Sequence, residues 1–329
     1  MAMLKRGGRG RLLRYIDILA PWVAIILFAI VMASVAPEKF LSQRNITSIL
    51  ISASSYIVLA VGMTFVMTGG GIDLSVGSVM GLSAAFIAVP VKHTPIDPIL
   101  AVFLGLGAGT LLGLANGLII TKLKIPDFIA TLATMLAYRG FAQVWIGARI
   151  LSRFPAAITY LGNARWGIVP VCVIVAVLVV VAGYFLYTRT KFGRYTIAIG
   201  GNRRAAIHAG IPVDRYKIYT YAFAGFMAAL AAVIRLGNLD TYTAYLGEGY
   251  LLPTIAGVVI GGTALYGGIG RVWGSLGGAL FITMLINGLV VLGLSYYWQQ
   301  FTVGVLIVLA VAVYTVTGLR QSRGVGGGG

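Results

Sequence analysis

ITSILISASSYIVLAVGMTFVMTGGGIDLSVGSVMGLSAAFIAVPV, residues 46–91, carries one charged side chain, Asp73, in 46 positions. A membrane helix needs roughly 20 consecutive apolar residues. The stretch therefore reads as two spans, 46–68 and 74–91, parted by Gly69, Gly70 and Gly71. Consecutive glycines break a helix because nothing restricts their φ, and Asp73 or Ser75 is placed to start the next one. Apolar runs recur at 16–36, 96–120, 127–147, 166–187, 217–236, 250–266, 273–293 and 298–318. The expected fold is all-α, a polytopic integral membrane protein of about ten transmembrane helices. The third and the eighth are expected to be short, and broken or re-entrant, since glycines interrupt both.

Composition excludes the soluble alternative. Of 329 residues, 59% are hydrophobic and 10% charged, against about 25% charged in an ordinary soluble domain. The net charge of +17 would suit a nucleic-acid binder if it tracked one face, but Lys and Arg gather between the apolar runs. With ten alternating spans, 17 of them fall on the side of the N-terminus and seven on the other. The positive-inside rule then places both termini in the cytoplasm. The organisation expected is a basic leader (1–15), one membrane domain (16–318) with a cytoplasmic loop at 188–217, and a tail (319–329). The apolar run after Lys5, Arg6, Arg9, Arg11 and Arg14 is longer than a signal peptide's and reads as a retained span.

Metal and redox chemistry find no support. Cys172 is the only cysteine, and His93 and His208 match no ligand spacing. No metal site and no enzymatic constellation is expected. The chain has no GxxxxGK[ST] phosphate loop, and the glycines at 267–270 lack a preceding strand.

Four segments carry information. In the loop TRTKFGRYTIAIGGNRRAAIHAGIPVDRYK (188–217), Gly200 and Gly201 precede Asn202, a good N-cap. Arg203, Arg204 and Ala206 fall in a short helix. Gly210 suits the left-handed closing position before Ile211, and Pro212 forbids continuation. Such a helix is marginal alone, so it either docks on something or belongs to a solvated loop that only sets topology. In TGGGIDLSVGSVMG (68–81), Asp73 is either a surface cap or a carboxylate beside a water-filled path at a half-helix N-terminus; Gly77 continues the glycine pattern. The string TIAGVVIGGTALYGGIGRVWGSLGGAL (254–280) permits close backbone approach at Gly261, Gly262, Gly267 and Gly268. YTAYLGEGY places Tyr242, Tyr245 and Glu248 in an outside loop, to meet a partner or sugar or to anchor at the interface. LANGLII around Asn116 and LINGLVV around Asn287 hint at an inverted repeat.

Together these strings, with IPDFIATLATM (125–135), resemble the ribose/xylose-type permeases of bacterial ABC sugar importers over about residues 40–318. The resemblance implies a monosaccharide carrier in the inner membrane, paired with a second copy or a paralogue. It implies a cytoplasmic ATPase docked on the loop 188–217 and a periplasmic binding protein that delivers the sugar. ATP and magnesium would sit on the partner subunits, with no cofactor on this chain and no nucleic-acid partner. A branched-chain amino-acid permease and an ion-coupled carrier are the rivals. Two strings depart from the family. Many members read Glu–Leu–Asp where Leu251, Leu252 and Pro253 stand, and Pro–Glu where Arg203 and Arg204 stand.

Overall fold

A computed structural model describes the backbone of residues 6–323 and the side chains of residues 19–312. Helices α1 (Arg6–Val35) and α2 (Pro37–Phe40) lead into α3 (Gln43–Thr68). Beyond the glycine break come α4 (Val76–His93), α5 (Pro98–Lys122) and α6 (Asp127–Ile146). A segment with β1 (Leu151–Ser152), α7 (Ala156–Asn163), β2 (Arg165–Trp166) and β3 (Val169–Pro170) precedes α8 (Val171–Arg189). Then follow α9 (Lys191–Gly201), α10 (Arg203–His208), α11 (Val213–Leu239) and β4 (Thr241–Tyr242). The chain closes with α12 (Leu251–Ile260), α13 (Val272–Val291) and α14 (Tyr296–Arg323).

Each of the expected apolar runs falls on its own helix. Six of them, α3, α4, α5, α8, α11 and α13, are long and apolar enough to cross a membrane. Four expectations need correction. Helix α1 starts at Arg6, inside the expected leader, and α14 runs on to Arg323, inside the expected tail; the side chains at 5–14 and residues 324–329 lie outside the described residues. The third span is an unbroken 18-residue helix, α4. Its Gly77 and Gly81 are contacts for a neighbouring backbone rather than breaks. The sixth span begins later than expected, because residues 165–170 form a β2–β3 hairpin. The loop 188–217 is mostly helical, α9 being a second amphipathic helix before the short one. The eighth span is indeed short, ten residues in α12.

Helix α3 is the hub. Every residue from Ile57 to Thr68 is buried, and α11, α13, α8 and α12 pack around it. Polar side chains there are satisfied internally, as where Thr64 donates to the carbonyl of Ala60. The closest packing is between α5 and α11. Gly105, Gly109, Gly113 and Gly117 recur every fourth residue and so share one face of α5. A Cβ on Gly113 would lie 3.0 Å from the Cα of Gly225, so the two backbones are in direct contact. Lipid supplies no hydrophobic force between helices, and such small-residue faces replace it.

The periphery is inverted relative to a soluble protein. Leu27, Ile30, Phe103, Leu111, Leu178 and Phe185 are each more than half exposed. Contiguous apolar surface of this kind belongs against lipid. The polar connectors gather at the two ends. One, the basic end, holds 69–75, 123–126, α9, α10 and 261–271. The other holds α2, 94–97, 147–170 and Asp240, where Lys92 donates to the carbonyl of Arg153 at 2.7 Å.

Candidate functional site

At the basic end, three glycine strings far apart in sequence meet at one point. Gly69 closes α3, and Gly70 follows at φ +74°. Gly200 of α9 lies against the carbonyl of Thr68, leaving no space for a side chain. The Gly268 N–H donates to that same carbonyl at 2.8 Å. A Cβ on Gly267 would lie 2.8 Å from both the Gly200 oxygen and the Gly70 Cα, and one on Gly268 would lie 2.8 Å from the Cα of Gly201. Gly267 and Gly268 have φ of +88° and +79°, a region open to glycine and strained for other residues. Gly261 and Gly262 end α12 just before this knot, and Gly261 lies against the backbone of Gly274 and Ser275.

The short helix α10 projects from the knot. Asn202 Oδ1 accepts from the Ala205 N–H at 3.0 Å, as the N-cap rule requires. Gly210, at φ +74°, donates to Ile207, and Ile211 donates to Ala206, which closes the helix in a Schellman motif. Ala206 is buried with Ile199 and Val213, and Ile211 packs on them. Everything else faces out: Arg203, Arg204 and His208 are exposed, and Ile207 is 48% exposed. Arg203 pairs with Asp214 at the start of α11, 3.3 Å away.

Beside the knot runs a polar network that sequence reading missed. The Asp127 carboxylate, at the first residue of α6, takes Lys217 Nζ at 2.7 Å and the Tyr221 hydroxyl at 2.9 Å. The Tyr221 oxygen also lies 3.1 Å from the carbonyl of Ile72. Helix α11, whose start carries α10, is thereby tied to α6 and to the glycine break. A lone Asp following Pro126 at the head of an apolar run was the available signal.

Asp73 is not the surface cap that one reading allowed. It is 2% exposed and forms a local turn: its Oδ1 accepts from the Ser75 N–H at 2.8 Å and from the Ser75 hydroxyl at 2.6 Å. Ser75 makes no side-chain cap to α4. Its Oγ accepts from Asn116 Nδ2 at 2.7 Å, and Asn116 Oδ1 accepts from Tyr138 at 3.1 Å. A helix start made by Asp73 and Ser75 has become a buried chain of hydrogen bonds between α4, α5 and α6.

Asn116 and Asn287 lie at opposite ends of the bundle, each near the C-terminus of its helix. Asn287 exchanges two amide hydrogen bonds with Asn45, at 3.1 and 2.9 Å. The segment expected as an outside loop is divided. Tyr242 is fully buried, because β4 pairs with β1 and turns that ring inward, so it presents nothing to a partner. Tyr245 is 59% exposed. Glu248 lies 3.5 Å from Arg139 of α6, remote from the glycine knot.

The family described as "Branched-chain amino acid transport system / permease component" matches residues 45–311. The ribose import permease protein of Bacillus subtilis is 41% identical over 295 residues, 89% of this chain and 91% of its own length. That of Escherichia coli K12 is 37% identical, covering 88% and 91%. The D-allose transport system permease protein of the same organism is 32% identical, covering 88% and 89%. No solved structure matches the chain.

Proposed function

Because this chain belongs to the permease family so described, we propose that it is the membrane-spanning subunit of an ATP-driven importer for a small neutral sugar. The relatives' names favour a sugar over the amino acids in the family's description. Nine long helices, α1, α3, α4, α5, α6, α8, α11, α13 and α14, cross the bacterial inner membrane, and α12 spans only part of it, with the basic end and both termini in the cytoplasm. An ATPase subunit docks on α10 and holds ATP and magnesium. A periplasmic binding protein delivers the sugar at the opposite end, and a second copy or a paralogue completes the path.

The observation that carries this reading is the anchoring of α10. It is capped at both ends yet buries one small side chain, so it is built to be held and presented. Displacing it moves Gly200, which touches the end of α3, and Gly267 and Gly268, which lead into α13. Displacement also reaches the break before α4 through Lys217, Asp127 and Tyr221. Motion at the docking surface is delivered directly to three helices. Because the relatives are named as permease proteins, the chain's contribution is read as mechanical, and ATP hydrolysis is assigned to the ATPase.

The test is uptake by proteoliposomes holding the chain with its ATPase and binding protein. Ribose accumulation should need ATP and survive a protonophore. Uptake that persists without ATP and collapses with the protonophore would establish the ion-coupled rival instead.

A further inference from the structure

The chain from Tyr242 to Tyr250 does not stay at the end of the bundle where β4 lies. Asp240 sits beside Arg153, which in turn meets Lys92 at the far end of α4. Yet Gly247 lies against the backbone of Gly77 and Gly81, in the first two turns of the same helix. At about 1.5 Å per residue, Gly81 is ~16 Å and Gly77 ~22 Å below Lys92. The segment therefore re-enters the bundle to about half its depth, and α12 starts from there. Arg139 stands ~18 Å from the start of α6 and ~10 Å from its end by the same measure. The Arg139–Glu248 pair thus lies near mid-membrane.

Both members are partly open there, with side chains 35% and 50% exposed. Charged side chains at that depth are costly against hydrocarbon and instead mark substrate or ion pathways. Glu248 is also the last acidic residue of the chain. Beside the pair are the exposed Tyr245 ring and, on α4, Ser78, whose buried hydroxyl has no hydrogen-bond partner. All four line one narrow cleft.

We infer that Arg139, Glu248, Tyr245 and Ser78 form a polyol-binding station midway along the transport path, reached from the exposed side at Tyr245 and Glu248. The inference rests on the proposed sugar-permease function. The chemistry suits a neutral sugar: a carboxylate accepts from hydroxyls, a guanidinium donates to hydroxyl and ring oxygens, and an aromatic face covers the C–H side of the ring. Because the two charges compensate one another, the station has no net charge to trap its cargo. Ser78 becomes available when 243–249 withdraws from α4.

The test uses the complex with its ATPase and binding protein in proteoliposomes, with ribose, allose and fructose as probes. Glu248→Gln, Tyr245→Ala and Ser78→Ala should each co-purify with the ATPase as wild type does. Glu248→Gln and Tyr245→Ala should lower uptake at least fivefold and change the order of preference among the sugars. Normal uptake and preference in all three variants would overturn the station while leaving the permease reading intact. A wild-type complex that moves none of the sugars would overturn the sugar reading, and thiol labelling then decides the station as a water-filled site. Tyr245→Cys in a Cys172→Ala background should react with a membrane-impermeant thiosulfonate, at a rate that changes at least fivefold between nucleotide-free and ATP-trapped complexes. A Tyr245→Cys thiol unreactive in both states overturns the inference.

Discussion

Asp73 is held by the backbone and hydroxyl of Ser75, two positions further on, and lies in the connector between α3 and α4. Burial pushes its carboxyl up from the ordinary range, while the Ser75 donors pull the other way. A carboxyl whose folded pKa exceeds its unfolded one binds its proton more tightly in the fold. Its stabilising contribution is present at acid pH and is lost as pH rises through the folded pKa. Asp73→Asn keeps the accepting oxygen without the charge, so it should melt at or above wild type in detergent at neutral pH, with the gap closing as pH falls. Asp73→Leu removes the acceptor and leaves the buried Ser75 N–H unanswered, a loss of about 1–3 kcal/mol. A melting scan in which Leu equals wild type refutes this account of the turn. Asp73 and Ser75 were legible as a helix start, because side-chain capping is written within three or four residues. Their partners Asn116 and Tyr138 were not. Nor was the Asp127–Lys217 pair, whose members stand 90 positions apart and are joined only by how α6 and α11 pack.

Among the elements, α10 was the most legible. Asn202, Gly210 and Pro212 punctuate it locally, and the structure sets each where its chemistry requires. Nothing lies within 4 Å of a Cβ built on Gly210, so the left-handed φ alone penalises a substitution there, by roughly 1–2 kcal/mol. Gly210→Val should fray α10, retain normal membrane abundance and recover less ATPase on co-purification. Undiminished recovery would remove α10 from the docking role. The α5–α11 contact is the opposite case, since steric room decides it. Gly113→Leu would drive a side chain into the Tyr221 carbonyl and Gly225. That should cost several times the 1–3 kcal/mol typical of overpacking, with monodisperse yield on size exclusion falling sharply. An unchanged yield would show that the helices separate freely. Helix α12 was legible as a broken or re-entrant span, but its depth was not, because hydropathy records what a segment avoids and not how deep it begins.

For the whole molecule, alternation of apolar runs and connectors sorts the basic segments 122–126 and 189–217 to one end, as the charge count requires. Which compartment faces that end is set by the membrane and not by packing. Asn202→Cys in a Cys172→Ala background should be labelled by an impermeant maleimide only after permeabilisation. Labelling in intact cells would reverse the orientation. The closeness of α5 and α11 has a kinematic consequence. Two backbones in contact along a row of glycines cannot slide or bend independently, so they act as one stiff rod. The α11 part is ~40 Å long at about 1.5 Å per residue. One end carries α10, and the other leads through β4 into the re-entrant segment. Rotating such a rod by ~5°, a small hinge motion, sweeps its far end through ~3.5 Å, about half the width of a whole monosaccharide. On the proposed function, the fold thereby converts a slight tilt at α10 into a displacement comparable with the size of its cargo.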